Sequence, residues 1–188
     1  MRLFRSAPLA RALLLGAAAY LAGCGTTSTR NVDPTLPIPA PWSGPALAPS
    51  DVPDIYLTVW RSAENRGRCA LLASARLDPG LESRATPRAA TFSGGWAVAY
   101  DLPGERSAFG LAGTGSDAWA GDVYDEWPEK RLLEDGSRVG YGPEGGTGPN
   151  WLAYLRIPGQ QCLYNVWSRR GRAHLEELLG QLRFVAVE

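Results

Sequence analysis

Histidine and lysine are almost absent from this sequence, and their scarcity limits the chemistry that it can perform. His174 and Lys130 are the single examples among 188 residues. Catalytic zinc normally takes several histidines, or histidine together with carboxylates, so one histidine argues against a metal centre. The chain also has no Gly-x-Ser-x-Gly nucleophile elbow and no glycine-rich phosphate loop followed by lysine. We therefore expect no metal and no cofactor, and an enzyme is the less favoured class.

The sequence also lacks an excess of positive charge. Its 19 basic and 19 acidic residues cancel. Three arginines lie in the first 23 positions, so the rest of the chain has 16 basic against 19 acidic residues and a net charge of −3. Such a balance does not draw a protein to nucleic acid, and we expect no nucleic-acid partner.

A long apolar run is missing too, although a short one lies near the N-terminus. Residues 12–22 are apolar or small throughout, which falls short of the ~20 residues that a membrane-spanning helix needs. The run follows Arg2, Arg5 and Arg11, and no acidic residue precedes Asp33. This arrangement is typical of a secretory signal peptide, and a buried helix is the alternative.

The apolar run ends in Leu21-Ala22-Gly23-Cys24, which resembles the lipobox of bacterial lipoproteins. The resemblance covers residues 1–24 alone, and an ordinary secretory signal cleaved elsewhere is the alternative to it. It implies that 1–23 are a signal peptide and that Cys24 becomes the acylated first residue of the mature protein. Each buried methylene of the acyl chains adds about 0.8 kcal/mol of membrane affinity, so several chains anchor the protein to the lipid bilayer. The residue after the cysteine is Gly25 and not Asp. In a Gram-negative source, the resemblance then implies that the lipoprotein is exported to the periplasmic side of the outer membrane.

Residues 24–54 are predicted to be a tether that begins with the lipidated cysteine. Proline fixes φ and removes a backbone donor, so neither helix nor sheet can propagate through this segment, and such segments stay extended and poorly packed. The remaining residues, 55–188, are enough for a single globular domain with one core. The prolines of the tether are Pro34, Pro37, Pro39, Pro41, Pro45, Pro49 and Pro53.

Short apolar runs separated by Gly, Pro and Asp predict antiparallel strands in this domain. Turn-forming residues at 101–105, 135–136 and 158–159 would close three hairpins. Leucines at helical spacing predict one helix, Arg169–Leu182. The expected fold class is α+β, a twisted antiparallel sheet with the C-terminal helix packed on one face. The expected strands, with a short helix over 126–134 as the alternative to one of them, are Ile55–Trp60, Arg68–Leu77, Gly95–Tyr100, Ser107–Ala112, Arg131–Glu134, Ser137–Tyr141, Trp151–Ile157, Gln160–Trp167 and Arg183–Val187.

Two cysteines remain once Cys24 is assigned to the lipid. Cys69 and Cys162 both lie in strand-like runs, and their residue parity places each on an apolar face. An even pair in an exported protein predicts a disulfide bond. Two buried free thiols, acting as small apolar side chains, are the alternative.

One segment offers an enzymatic hypothesis. Carboxylates and aromatic side chains are interleaved over residues 117–129, and glycoside hydrolysis needs two carboxyl groups about 5–10 Å apart beside the sugar. The alternatives are a solvated acidic loop and, less favoured because the Asp-x-Asp-x-Asp-Gly pattern is missing, a calcium site. His174 is expected to lie on the surface of the C-terminal helix without a chemical role. The carboxylates of the segment are Asp117, Asp122, Asp125, Glu126 and Glu129.

Tryptophans indicate a second kind of site. Trp119 and Trp127 lie in the acidic segment, and Trp167 lies opposite Cys162 by parity, beside polar residues. Partly exposed aromatic residues of this kind suit a contact surface. The favoured function is a non-enzymatic envelope lipoprotein that binds a protein or glycan partner or serves assembly. The alternative is a small carboxylate-dependent hydrolase acting on envelope polysaccharide.

Overall fold

The domain is built on antiparallel strands. The structure, a computed structural model, describes residues 38–77, 79–90, 94–114, 126–146 and 148–187, which belong to one compact unit. The described residues form, in chain order, α1 (Asp54–Ser62), β1 (Leu72–Ser74), α2 (Pro79–Glu82), β2 (Thr86–Ala89), β3 (Trp96–Leu102), β4 (Glu105–Gly113), β5 (Glu129–Leu132), β6 (Arg138–Pro143), β7 (Trp151–Arg156), β8 (Tyr164–Ser168), α3 (Arg172–Gln181) and β9 (Leu182–Phe184).

Seven of the strands form one large sheet in the order β2-β3-β4-β8-β7-β6-β5, and β1 pairs with β9 in a small second sheet. The large sheet is antiparallel throughout. The predicted α+β fold class is therefore confirmed. No helix in the described ranges is long and apolar enough to cross a membrane.

One face of the large sheet carries the hydrophobic core. Val98, Leu111, Val166 and Ala153 follow one another in register across β3, β4, β8 and β7, and all are buried. We call this the inner face. Because side chains alternate along each strand, the neighbouring residues of these strands define an outer face.

Both longer helices cover the inner face. The Tyr56 ring of α1 lies 6.4 Å from that of Tyr100 on β3, and the His174 ring of α3 lies 5.0 Å from that of Phe109 on β4. Three leucines of α3 complete the contact, and helical periodicity located this helix correctly. They are Leu175, Leu178 and Leu179.

The predicted strand Ile55–Trp60 is wrong, because these residues lie in α1. Pro53 precedes the helix with extended dihedrals, and Asp54 lies in its first turn, where a carboxylate is favoured by the helix dipole. Tyr56 packs inward while the helix leaves its other side exposed. A short run of apolar residues suits either state, and here packing on β3 selects the helix.

The last part of the predicted tether belongs to the domain. Ala40, Trp42 and Val52 are buried in the core, and the indole nitrogen of Trp42 donates a hydrogen bond to the Asp135 carboxylate, at 2.8 Å. Prolines 41 and 49 open short 3₁₀ turns, positions at which a missing N–H costs nothing. This part of the chain is therefore anchored on the domain through Ala40, Trp42 and Val52. The remainder of the tether and Cys24 lie outside the described residues.

The predicted disulfide is confirmed. Cys69 and Cys162 are bonded, with their Cα atoms 5.4 Å apart. The bond joins the loop after α1 to the segment that leads into β8. Beside it, the N–H of Gln161 donates to the carbonyl of Arg68 at 2.8 Å. The run Arg68–Leu77 yields only the three-residue strand β1, because Leu71 and Leu72 are both buried and break the expected alternation.

The three predicted hairpins are present. β3 and β4 turn at Leu102–Glu105, β5 and β6 at the Asp135-Gly136 turn, and β7 and β8 at Pro158-Gly159. Gly136 has φ of 81° and Gly159 has φ of 82°, a conformation that glycine adopts without steric cost. The predicted final strand forms as β9, which is shorter than expected and pairs with β1.

Candidate functional site

Small residues occupy much of the outer face on β3 and β4. Ala99 and Gly110 face each other in the ladder, and Ala97 faces Ala112 one pair further along. All four are buried. Large side chains from β8 and β7 can therefore lie across this part of the face without a steric clash.

Trp167 makes use of this space. It faces Gly110 across the β4–β8 ladder, and a Cβ atom at position 110 would collide with its indole ring. The indole nitrogen donates a hydrogen bond to the carbonyl of Ser107, at 3.3 Å. The ring is half-buried, so one part packs on the sheet while another part stays accessible.

Ser107, whose carbonyl accepts the hydrogen bond from Trp167, has an unusual backbone conformation. Its φ is 52°, the single positive φ of a residue other than glycine in the described chain. Its N–H donates to the Asp101 carboxylate at 2.7 Å, and its hydroxyl accepts from Arg88. The hydrogen bond from the Ser107 N–H and that from Arg88 lower the pKa of Asp101. Strained residues that are fixed in this way concentrate at functional sites.

Trp127 lies on the same face, two strands away. A Cβ atom at Gly142 would approach Pro128 at 2.7 Å and the Trp127 ring at 3.1 Å. The ring of Trp127 also lies 5.7 Å from that of Tyr154, at an interplanar angle of 51°. Both aromatic side chains are half-buried. Trp127 thus rests on a glycine of β6, as Trp167 rests on a glycine of β4.

Leu152 joins the two tryptophans. It pairs with Trp167 on one side and with Gly142, beneath Trp127, on the other. Together these side chains form a continuous partly exposed surface across β6, β7 and β8, which we call the aromatic strip. Its members are Trp127, Leu152, Tyr154 and Trp167.

Asn165 gives the strip a polar group. It pairs with Tyr154 on β7 and with Ala112 on β4, so it lies on the outer face. Only 7% of its surface is exposed. An amide in this position can donate to and accept from a bound molecule.

Sequence reasoning found the tryptophans of the strip and missed the other members. Two of the residues predicted for a contact surface, Trp127 and Trp167, lie over glycines on the same face of the sheet, whereas Trp119 lies outside the described residues. Leu152 and Tyr154 could have been found by residue parity. Trp151, Ala153 and Leu155 have the pattern of a core-facing side, so the residues that alternate with them face the other way. Residue parity had already placed Asn165 beside Trp167, as one of the polar residues on that face.

The predicted carboxylate cluster is described only in part. Asp117, Asp122 and Asp125 lie outside the described residues. Glu126 is exposed, and Glu129 is bonded to Arg172, with Glu129 Oε1 2.7 Å from the guanidinium. Glu129 is thus held by a cation from α3.

Glu176 of α3 is the centre of that network. Its Oε1 atom accepts hydrogen bonds from Tyr141 at 2.7 Å, Arg131 at 3.0 Å and Arg172 at 3.1 Å. The hydrogen bond from Tyr141 lowers the pKa of Glu176, and Arg172 adds to this effect. Burial and the bond to Glu176 raise the pKa of Tyr141. Glu176 is therefore ionised at neutral pH and is unsuited to the role of a general acid.

His174 differs from the exposed residue that was predicted. It is half-buried, its Nδ1 atom lies 2.8 Å from the Ser168 hydroxyl oxygen, and its ring contacts Phe109 edge-on. A serine and histidine at this distance resemble a nucleophile and its base. However, Ser168 is fully buried and also accepts from the N–H of Arg170 at 3.0 Å. No substrate can reach this oxygen, and the pair joins the end of β8 to the first turn of α3.

Two adjoining clefts lie on either side of the Gly159-Gln160 turn. The larger, of about 420 Å³, borders the disulfide and has Trp60 and Phe184 in its walls. The smaller, of about 300 Å³, is lined by residues of the β5–β6 and β7–β8 turns, among them Arg138 and Arg156. Within the described ranges, no group of three His, Cys, Asp or Glu side chains could hold a metal ion.

Comparisons with protein-family models, with curated proteins and with solved structures find no match to this chain.

Proposed function

We propose that this protein is a lipid-anchored component of the cell envelope with a non-enzymatic binding role, and that the aromatic strip is its binding surface. The lipobox-like segment supports the anchor, and the disulfide agrees with an oxidising compartment. One observation carries the binding role: Trp127 and Trp167, far apart in sequence, rest on glycines of one sheet face beside Leu152.

The composition of the strip suits a macromolecular partner. Aromatic side chains contribute large contact areas at a low cost in conformational entropy, and they dominate binding energies at interfaces. The Asn165 amide supplies a hydrogen-bonding group within the surface. A protein segment and a glycan chain are both partners of this chemistry, since each presents apolar patches together with polar groups.

The hydrolase alternative receives less support from the same geometry. Retaining and inverting glycosidases need one carboxylic acid with a raised pKa. Glu176 has a lowered pKa instead, and Glu129 is bonded to Arg172. Glu129 and Glu176 thus act as partners of arginines.

A fractionation experiment tests both parts of the proposal. We expect Cys24→Ala to move the protein from the membrane to the soluble or unprocessed fraction, because the acylation site is lost. The released chain should then bind isolated, washed envelopes, and the double variant Trp127→Ser/Trp167→Ser should lose at least about tenfold in bound fraction, since each change removes an aromatic anchor.

The matched control is Trp60→Ser, which changes a half-buried tryptophan on a different part of the domain. Thermal denaturation of each variant checks that the fold is retained. A Cys24→Ala protein that still sediments in mature form when it also carries Trp127→Ser/Trp167→Ser contradicts the anchor, because the strip can then no longer hold it on the envelope. Equal binding of the strip variant and the control contradicts the binding surface. Protease treatment of the envelopes distinguishes a protein partner from a glycan.

A further inference from the structure

A closed set of hydrogen bonds joins three neighbouring strands of the large sheet. Arg88 of β2 donates through Nε to both carboxylate oxygens of Asp101 on β3, at 2.8 and 3.1 Å, and through Nη2 to the Ser107 hydroxyl on β4. The Ser107 N–H donates to the same carboxylate at 2.7 Å. Each of the three residues therefore contacts the other two, and we call them the Arg88 network.

The Arg88 network and Trp167 meet at Ser107. Arg88 pairs with Ala99, which faces Gly110. Trp167 pairs with Gly110 from the other side. Both large side chains thus lie in one row of the outer face, separated by two small residues. Arg88 donates to the Ser107 hydroxyl, and the Trp167 indole nitrogen donates to the Ser107 carbonyl at 3.3 Å.

The backbone of Ser107 serves two neighbouring strands at once. In a regular antiparallel strand, the N–H and the carbonyl of one residue face the same neighbouring strand. The N–H of Ser107 instead bonds to Asp101 of β3, and its carbonyl bonds to Trp167 of β8. Its φ of 52° departs from strand geometry, and the β3–β4 ladder shifts register beside it, between Tyr100 and Leu102. The hydrogen bond to Trp167 therefore depends on a conformation that a regular strand does not have.

The Arg88 network, and not Trp167, fixes this conformation. A serine with a positive φ is uncommon and persists only where its surroundings determine it strongly. Short hydrogen bonds with Arg88 and Asp101 hold the Ser107 hydroxyl and N–H, whereas the bond from Trp167 is longer than is usual for N–H···O. The hydrogen bonds from Ser107 and Arg88 also lower the pKa of Asp101, so this acceptor stays charged at neutral pH.

We propose that Arg88 and Asp101 are positioning residues of the aromatic strip. Through the turned backbone of Ser107, they fix the Trp167 indole over Gly110 in the orientation that a partner meets. This role rests on the proposed function, because it explains how that binding surface is held ready. An indole that is already ordered loses less conformational entropy when a partner binds. A half-buried ion pair at the surface adds little to stability by itself, so we expect the network to act on Trp167 more than on folding.

The free protein offers a direct readout of the Trp167 indole. In the nitrogen-labelled mature chain carrying Cys24→Ser, the Nε1–H magnetic resonance signal of Trp167 is assigned by its loss in Trp167→Ser. We expect Asp101→Ala to shift this signal and to speed its exchange with water about fivefold or more, because a hydrogen bond is lost. No partner is needed for this measurement.

The matched control is Glu105→Gln, which neutralises a carboxylate in the same β3–β4 turn. Glu105 lies 3.8 Å from Arg169 and from Arg170, so its ion pairs are separate from the Arg88 network. The change should leave the Trp167 signal and its exchange rate at the parent values.

Two further variants separate positioning from a general loss of structure. Arg88→Gln keeps the bond from Ser107 to Asp101, so it should shift the Trp167 signal in the same direction as Asp101→Ala and by less. Ser107→Gly added to Asp101→Ala should restore much of the parent signal, because glycine adopts a positive φ without support. Thermal denaturation shows whether each variant keeps its fold.

Binding of the same chains to isolated, washed envelopes connects the indole to the proposed function. Asp101→Ala should reduce the bound fraction about threefold to tenfold, the fold-change that corresponds to ordering one large side chain on binding. Glu105→Gln should bind like the parent chain, and Ser107→Gly should recover part of the binding that Asp101→Ala loses.

An unchanged Trp167 signal in folded Asp101→Ala and Arg88→Gln chains overturns the proposal. Equal loss of binding in Asp101→Ala and Glu105→Gln also overturns it. If Trp127→Ser/Trp167→Ser loses binding and Asp101→Ala does not, the positioning role is wrong and the proposed binding surface stands. If the strip variant binds like Trp60→Ser, the proposed function fails together with the role of the network in binding, and the Trp167 signal then reports only on the fixed indole.

Discussion

At the scale of single residues, glycine decides where the aromatic side chains of the outer face can lie. A Cβ atom at position 110 would come within 2.5 Å of the Trp167 ring atom Cη2 and within 2.6 Å of the Val98 carbonyl oxygen. The first contact can be relieved by a rotation of the side chain, but the second involves backbone. Neither the ring nor the sheet can keep its present position if a methyl group is added.

We therefore predict that Gly110→Ala destabilises the domain by about 1–3 kcal/mol, the usual cost of overpacking, and reduces binding through the aromatic strip. Urea unfolding followed by far-ultraviolet circular dichroism measures the change. Gly180→Ala is the control, because Gly180 lies inside α3 with open space around it. That change should stabilise the domain by about 0.5–1 kcal/mol. A Gly110→Ala domain as stable as the parent would show that Trp167 does not depend on this glycine.

At the scale of elements, a polar network fixes α3 to the edge of the large sheet. Glu176 on α3 accepts hydrogen bonds from Tyr141 of β6 and Arg131 of β5. It also accepts one from Arg172 of its own helix. The Arg131 guanidinium also lies 5.0 Å from the centre of the Tyr141 ring. Leucines bury one side of the helix, while this network sets its position along the strands.

The network predicts a pH-dependent contribution to stability. The pKa of Glu176 is lower in the folded state than in the unfolded chain, where it is about 4.3. Its contribution is therefore fully present above the unfolded value and is lost as the pH falls through the folded value. We expect Glu176→Gln to lower the melting temperature at neutral pH, and the difference from the parent to vanish in acid.

The matched control is Glu177→Gln, an exposed carboxylate on the same helix. It should leave the melting temperature nearly unchanged at every pH, because surface substitutions usually shift stability by less than about 0.5 kcal/mol. A Glu176→Gln effect of constant size from neutral to acid pH would mean that packing, not charge, causes it.

At the scale of the whole molecule, the disulfide closes a long loop of the domain. Cys69 and Cys162 are 93 residues apart in sequence, and the loop between them includes every strand of the large sheet except the last, β8. A crosslink across so long a loop restricts the unfolded chain strongly. The bond also holds together the walls of the 420 Å³ cleft.

We predict that Cys69→Ala/Cys162→Ala, made in the Cys24→Ser chain, is about 2–5 kcal/mol less stable than its parent. Chemical denaturation with and without reductant measures the difference. Reductant should lower the stability of the parent to nearly that of the double variant and should leave the double variant unchanged. If reductant has no effect on a parent whose thiols are shown to be free, the bond does not stabilise the domain.

The sequence by itself determined the features that depend on local chemistry or on a count. The Asp135-Gly136 and Pro158-Gly159 turns have the residues that tight hairpins require, and the leucine spacing of α3 follows from helical periodicity alone. The disulfide followed from the number of cysteines in a chain that is predicted to be exported. In each case the responsible residues are close in sequence or few in number, so that few alternatives compete.

Tertiary structure alone decided the rest, because those features depend on residues that are distant in sequence. Ile55–Trp60 became helical through packing on β3, and Trp42 drew a proline-rich segment into the core despite its composition. The aromatic strip exists because β6, β7 and β8 are neighbours in the sheet. No local sequence pattern predicts this order of strands. The sequence determined which side chains each strand carries, and the pairing of the strands determined which of them lie side by side on one face.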